Sequence, residues 1–100
     1  MSKFIIEYVE GHKEKTEESL KGSKHRLKML LNLYFKVNYK DIGNNQFEFY
    51  FEPRAMLQTL MKVGGENVQT QMMGVALQGM SKLNDKFKED GIKARVIEIL

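Results

Sequence analysis

This sequence predicts an α+β fold whose strands and helices follow the order β-α-ββ-α-β. Three observations predict it. The chain opens and closes in β-branched, aromatic-rich stretches, KFIIEYV at 3–9 and IKARVIEIL at 92–100. Its middle, FKVNYKDIGNNQFEFYFE at 35–52, alternates apolar and polar residues on both sides of Gly43-Asn44-Asn45, which is a hairpin signature. Between these lie segments whose apolar residues recur at helical spacing.

The size suits one core. One hundred residues make a single domain, 1–100, by the usual length of independently folding units. Apolar residues at 42% and charged residues at 29% are a globular balance. No apolar run approaches the ~18 residues of a membrane span. The start, MSKFIIEYVE, enters a strand pattern without the layout of a signal peptide, so the cytoplasm is the expected location and no membrane is expected as partner. The chain has no cysteine, which excludes a disulfide framework, thiolate metal ligands and a cysteine nucleophile. Sixteen Lys and Arg against thirteen Asp and Glu give a net charge of +3. That excess is too small for a large uniform field, and it leaves nucleic acid open as a partner without favouring it.

After the first strand, Glu10-Gly11-His12-Lys13 reads as a polar turn. From Thr16 to Tyr34 the pattern is helical, with Leu20, Leu27, Leu30, Leu31 and Tyr34 on one face. Thr16 is placed to cap it, with Glu17 and Glu18 in the first turn. Gly22 interrupts the pattern, so the helix is expected to begin at Ser23, with 11–22 as a loop.

The hairpin register follows from the rule that opposed residues share a face. A three-residue loop at 43–45 pairs Lys36 with Glu52, Val37 with Phe51, Tyr39 with Phe49 and Lys40 with Glu48. Phe35, Val37, Tyr39, Phe47, Phe49 and Phe51 then form the core face. Lys36, Asn38, Lys40, Glu48, Tyr50 and Glu52 form the other.

Pro53 stops the strand and suits a first helical turn. Residues 54–63, RAMLQTLMKV, group Met56, Leu57, Leu60 and Met61. Gly64-Gly65 breaks the helix, and a second part runs from about Glu66 to Glu89. An unbroken helix over 54–90 would span about 55 Å at 1.5 Å per residue, too long for a domain this small. The resulting order is the ferredoxin-like split βαβ: a four-stranded antiparallel sheet, helices on one face, the last helix broken at Gly64-Gly65, and the first and last strands adjacent. KFIIEYV and KARVIEIL are apolar on both sides, so their buried faces are not readable.

Two constellations carry candidate sites. In LKGSKHRLKMLL, a helix starting at Ser23 would point free N–H groups outward beside Lys21, Lys24, His25, Arg26 and Lys28, which is how helix starts attract phosphate. The pattern is not the GxxxxGK[ST] phosphate loop, and Lys24, His25 and Lys28 also read as a solvated helix face. In VQTQMMGVALQGMSKL, the apolar residues spread over more than one face. Met72, Met73, Val75, Gly79, Met80 and Leu83 are the candidate protein interface, because methionine surfaces adapt to partners. The competing reading is a fully buried helix.

Catalytic readings have little to build on. His12 and His25 have no acidic spacing of a metal site, and Ser19, Ser23 and Ser81 lie in no nucleophile elbow. Acylphosphatases share the element order and use an Arg in the loop after the first strand, but EGHKEKTEE has none. Cofactor-free monooxygenases of the dimeric α/β-barrel type share the length, but the chain lacks their characteristic Trp. An enzyme of that type would use Tyr8, Tyr39 or Glu7. The exposed strand face shows Tyr50 between Glu48 and Glu52, which does not suit stacking of RNA bases.

The expectation is a non-enzymatic binding or regulatory protein, homodimeric, without cofactor or metal, acting through its methionine-rich helix on itself and on another protein. A virus- or plasmid-encoded modulator or inhibitor of a host factor would fit this size. The alternatives are an RNA- or phosphate-binding module centred on residues 21–28 and a small cofactor-free enzyme of the dimeric α/β-barrel type.

Overall fold

The computed structural model describes residues 2–64 and 66–99. β1 is Ser2–Tyr8, α1 Lys13–Leu31, β2 Phe35–Gly43, β3 Gln46–Pro53, α2 Ala55–Gly64, α3 Glu66–Glu89 and β4 Ala94–Ile99. The four strands form one antiparallel sheet in the order β2-β3-β1-β4, so β1 and β4 are neighbours. The three helices share one face of it, where their buried residues join a single core.

The hairpin register is as the sequence predicts: Lys36 opposes Glu52, Val37 Phe51, Tyr39 Phe49 and Lys40 Glu48. The loop differs. Gly43 pairs with Gln46, and the turn is the two residues Asn44 and Asn45, both at positive φ (55° and 59°). A register shift between Asp41 and Gly43 takes up the extra residue as a bulge, so the strands keep their pairing while the turn takes the geometry that suits sheet twist.

Pairing with β3 decides the face of β1. Phe4 lies opposite Phe49 and Ile6 opposite Phe47, so Phe4, Ile6 and Tyr8 point into the core and Lys3, Ile5 and Glu7 point away. Five phenylalanines from β1, β3 and α3 (Phe4, Phe47, Phe49, Phe51, Phe87) are essentially inaccessible. The rings of Phe4 and Phe51 meet edge to face at 5.7 Å, the geometry aromatic pairs prefer. Every residue of β4 is at least partly exposed.

α1 corrects the reading of the first helix. It starts at Lys13 and runs through Gly22 without a break. A glycine inside a helix costs about 1 kcal/mol relative to alanine, and burial of Leu20 and Leu27 on either side outweighs that. Thr16 is no cap; it lies inside the helix, and its Oγ1 donates to His12 O at 2.6 Å. The core-facing stripe is Thr16, Leu20, Ser23, Leu27 and Leu31. Leu30, expected on it, is 73% exposed, because the stripe turns toward the sheet and leaves it on the flank facing α3.

Pro53 closes β3 instead of opening α2. Arg54 then ties the helix start down: its N–H donates to Tyr34 O at 2.8 Å and its Nη2 to Asn32 Oδ1 at 3.2 Å. α2 ends at Gly64 and α3 begins at Glu66; Gly65, where the helix is expected to break, lies outside the described residues. α1 and α3 run antiparallel, with Leu30 near Val75 at one end and Lys15 near Asp90 at the other.

Candidate functional site

The predicted basic site does not assemble. With α1 continuous from Lys13, Ser23 sits in mid-helix, where its N–H is not a free terminal donor. Its side chain is buried, and its Oγ accepts a hydrogen bond from Arg26 Nη2 at 3.2 Å. The cations leave the helix in different directions. Arg26 turns toward α3, in the groove that Lys82 and Asp85 also line. Lys24 leans toward β2, with Nζ 5.9 Å from the centre of the Tyr39 ring. Lys21 reaches Glu17 at 3.8 Å, one turn back. His25 and Lys28 are exposed. One phosphate cannot be held by groups that diverge in this way.

The predicted interface residues divide as well. Met80 is 3% and Leu83 1% exposed, and both belong to the core with Ala76 and Phe87. They are corrected from partner contacts to packing residues, since the 76-80-83-87 spacing forms the stripe that meets the sheet. Gly79 lets α1 approach: a Cβ there would stand 3.1 Å from Leu27 Cδ2. Val75 is exposed and lines the α1–α3 groove. The side chains of Met72 and Met73 lie outside the described residues.

What the structure adds is an apolar surface on α2 that the sequence analysis did not single out. Met56, Leu60 and Val63 are exposed, Val63 to 85%, and stand at i, i+4 and i+7 on one side of α2. Among the described residues of α2, Leu57 alone is buried. Lys62 is the one charged residue in AMLQTLMKVG. Met29, Leu30 and Leu33 are exposed at the end of α1, and Val75 of α3 lies beside Leu30; Leu77 is exposed on the other side of α3, next to β4. The Arg54 tie holds the turn carrying Leu33 beside the start of α2. Between α1 and α3 runs a groove of about 510 Å³ whose floor includes Leu27, Leu30, Val75 and Gly79, and whose rim carries Arg26, Lys82, Asp85 and Glu89. The signal for this surface was in the sequence: α2 carries apolar residues on two stripes, 57-61 and 56-60-63, and a small sheet covers only one.

The opposite face of the sheet is polar and internally matched. Glu48 lies between Lys3 (3.3 Å) and Lys40 (3.7 Å) and is buried by them. Such a face has little unsatisfied charge to offer.

The candidate enzyme residues do not converge. Tyr8 is buried, with its ring 5.3 Å from that of Phe47. Glu7 lies on the other face, its Oε2 accepting from Gln46 Nε2 at 3.4 Å. Tyr39 donates to Glu17 Oε1 at 3.3 Å. Burial, and then the neighbouring Glu17 carboxylate, push the Tyr39 hydroxyl above its ordinary pKa, which keeps it a neutral donor. Among the described residues, no three His, Asp or Glu side chains gather as metal ligands would, and no helix is long and apolar enough to cross a membrane.

Compared with protein-family models, with proteins of established function and with solved structures, the chain shows no match.

Proposed function

We propose that this chain is a non-catalytic, protein-binding module that self-associates and engages its partner through the outer side of its helical layer. We read its element order as the ferredoxin-like split βαβ, in which one sheet face stays open and the helices form the second layer. The observation that carries the reading is the exposed 56-60-63 stripe of α2. Three large apolar residues at i, i+4 and i+7, in a helix with one charge, form a seam of the kind helices use to pack on one another. Met29, Leu30, Leu33 and Val75 are further exposed apolar residues of the helices and the turn that follows α1. Exposed apolar area of this kind marks interaction surfaces on soluble proteins. Basic residues that diverge, and a polar sheet face whose charges are matched, do not support nucleic acid equally well.

The test is the solution mass of the purified chain at low and high salt, with absorbance at 260 nm recorded. A protein-only oligomer that persists at high salt, and becomes monomeric with Leu60→Lys or Val63→Lys, supports the reading. Oligomers unchanged by both substitutions sink it. So does a monomer that carries nucleic acid at low salt and releases it at high salt.

A further inference from the structure

Two outward N–H groups on the edge of β4 are taken by the chain's own atoms. Tyr8 gives its N–H to Asn45 O, on the β3 side, at 3.0 Å, and Val9 gives its N–H to Lys93 O, on the β4 side, at 2.9 Å. N–H groups alternate sides along a strand. Glu7 therefore faces β4, its partner Arg95 faces β1, and the N–H groups of Ala94 and Val96 face outward. Both are taken. Ala94 donates to Ile92 O at 3.0 Å, and Val96 donates to Asn84 Oδ1 at 2.9 Å. Asn84 belongs to α3 and reaches the strand from the helical layer. The strand is also irregular: Ile6 opposes Val96 and Ile5 opposes Glu98, leaving Ile97 as an extra residue.

The other edge is treated alike. Tyr8 faces β3, so Phe4 does too; its partner Phe49 then faces β1, and Tyr39, opposite Phe49, faces outward. Its N–H donates to Asn38 Oδ1 at 2.9 Å, and the carbonyl of Phe35, on the same side, accepts from Arg54 Nε at 3.4 Å. Strand edges are templates for further strands, and bulges and side chains that occupy the edge are how proteins block them.

The strand that would best fit the β4 edge is β4 itself. Laid antiparallel on a copy about the midpoint between Val96 and Ile97, ARVIEI places Arg95 opposite Glu98, Val96 opposite Ile97 and Ala94 opposite Ile99. Arg95 and Glu98 stand on the same sheet face, across from Glu7 and Ile5, so both charge pairs are attractive. The apolar pairs would cover Ile97 and Ile99, which are exposed beside a cleft of about 460 Å³ bordered by Leu77 and Met80. A two-fold contact of this kind is self-complementary.

We propose that Asn84 is an edge guard: its side chain occupies the Val96 N–H and keeps β4 from pairing with the β4 of a second copy. Self-association is thereby confined to the helical layer. Removing the guard frees an outward donor on each copy. The gain in association is on the order of tenfold, the worth of one or two added backbone hydrogen bonds.

Sedimentation of the wild-type chain beside Asn84→Ala, Asn84→Leu and Asn84→Asp tests this, with circular dichroism to verify folding. The Ala and Leu variants are expected to associate about tenfold more tightly than wild type through this added contact, read as mass above the wild-type mass at equal concentration. The Asp variant keeps an acceptor and stays at the wild-type mass. Adding Arg95→Glu to Asn84→Ala reverses the effect, and adding Glu98→Arg as well restores it. A folded Asn84→Ala or Asn84→Leu chain at the wild-type mass overturns the proposal. Extra mass insensitive to the 95/98 charge exchange also overturns it. Failure of the helical-surface reading shows instead as a wild-type mass unaffected by Leu60→Lys and Val63→Lys.

Discussion

Leu27 of α1 sits directly over Gly79 of α3, so close that a Cβ on Gly79 would lie 3.1 Å from Leu27 Cδ2. The two helices approach at this point because one contributes no side chain. Gly79→Ala sets two effects against each other. The helix gains up to about 1 kcal/mol of propensity, while Leu27 shifts its flexible end by a few tenths of an ångström. We expect a net change within about 1 kcal/mol. Gly79→Leu has no such space and is expected to lose about 1–3 kcal/mol. Urea denaturation of both variants decides it; equal stabilities would refute the close approach.

The turn Asn44-Asn45 holds both residues at positive φ. Asparagine tolerates that region, and β-branched residues do not. Asn45→Val is expected to cost about 1–2 kcal/mol, and Asn45→Gly to change stability by less than about 1 kcal/mol, since Asn-Gly is the favoured pair for this turn. Thermal unfolding of the two variants makes the comparison. A valine variant as stable as wild type would mean the turn has a different geometry.

Lys13 and Asp41 tie the start of α1 to the end of β2, with Nζ 2.8 Å from Oδ2. The Lys13 hydrogen bond, with a second from the Gly43 N–H, holds the Asp41 carboxyl below the usual carboxylate range. The same Asp41 bond raises Lys13. A carboxyl lowered by folding stabilises above its unfolded pKa and loses that contribution as pH falls through the folded value. An ammonium raised by folding stabilises below its unfolded pKa and loses it as pH rises through the folded value. The tie is therefore complete between about pH 4 and pH 10. Asp41→Asn keeps the acceptor for Gly43 and removes the charge pair. Its stability is expected to fall less than that of wild type at both extremes; parallel pH profiles would contradict the pairing.

Met80 and Val63 test the division between core and surface. Lysine at Met80, 3% exposed, would bury an unpaired ammonium, at a cost above about 4 kcal/mol or the loss of folding. Lysine at Val63, 85% exposed, is expected to stay within about 0.5 kcal/mol of wild type while abolishing self-association. Circular dichroism and sedimentation read the two effects separately. A folded, assembled Met80→Lys chain would return that residue to the surface.

Much of the fold was legible because it rests on short-range periodicity. The hairpin register followed from residues 35–52 alone, since a slip of one residue would turn three aromatic or aliphatic side chains of one strand to the wrong face and break the lysine–glutamate pairing. The candidate site was less legible. Met80 and Val75 both read as apolar residues of one helix, and nothing in their spacing says which stripe meets the sheet.

By itself, the sequence determined the order of elements, the hairpin pairing, the end of the last helix at Glu89 and the absence of cysteine chemistry. These depend on alternation, on glycine and proline, and on composition, all of which act over a few residues. Only the tertiary structure decided the rest. It carried α1 through Gly22, because Leu20 and Leu27 are buried together on the sheet. It turned Phe4, Ile6 and Tyr8 inward, because β3 pairs with β1 in the register that stacks their aromatic faces. It left Leu30 and Val63 in solvent, because all three helices pack on the same face of the sheet, and that face has room for only one stripe of each helix.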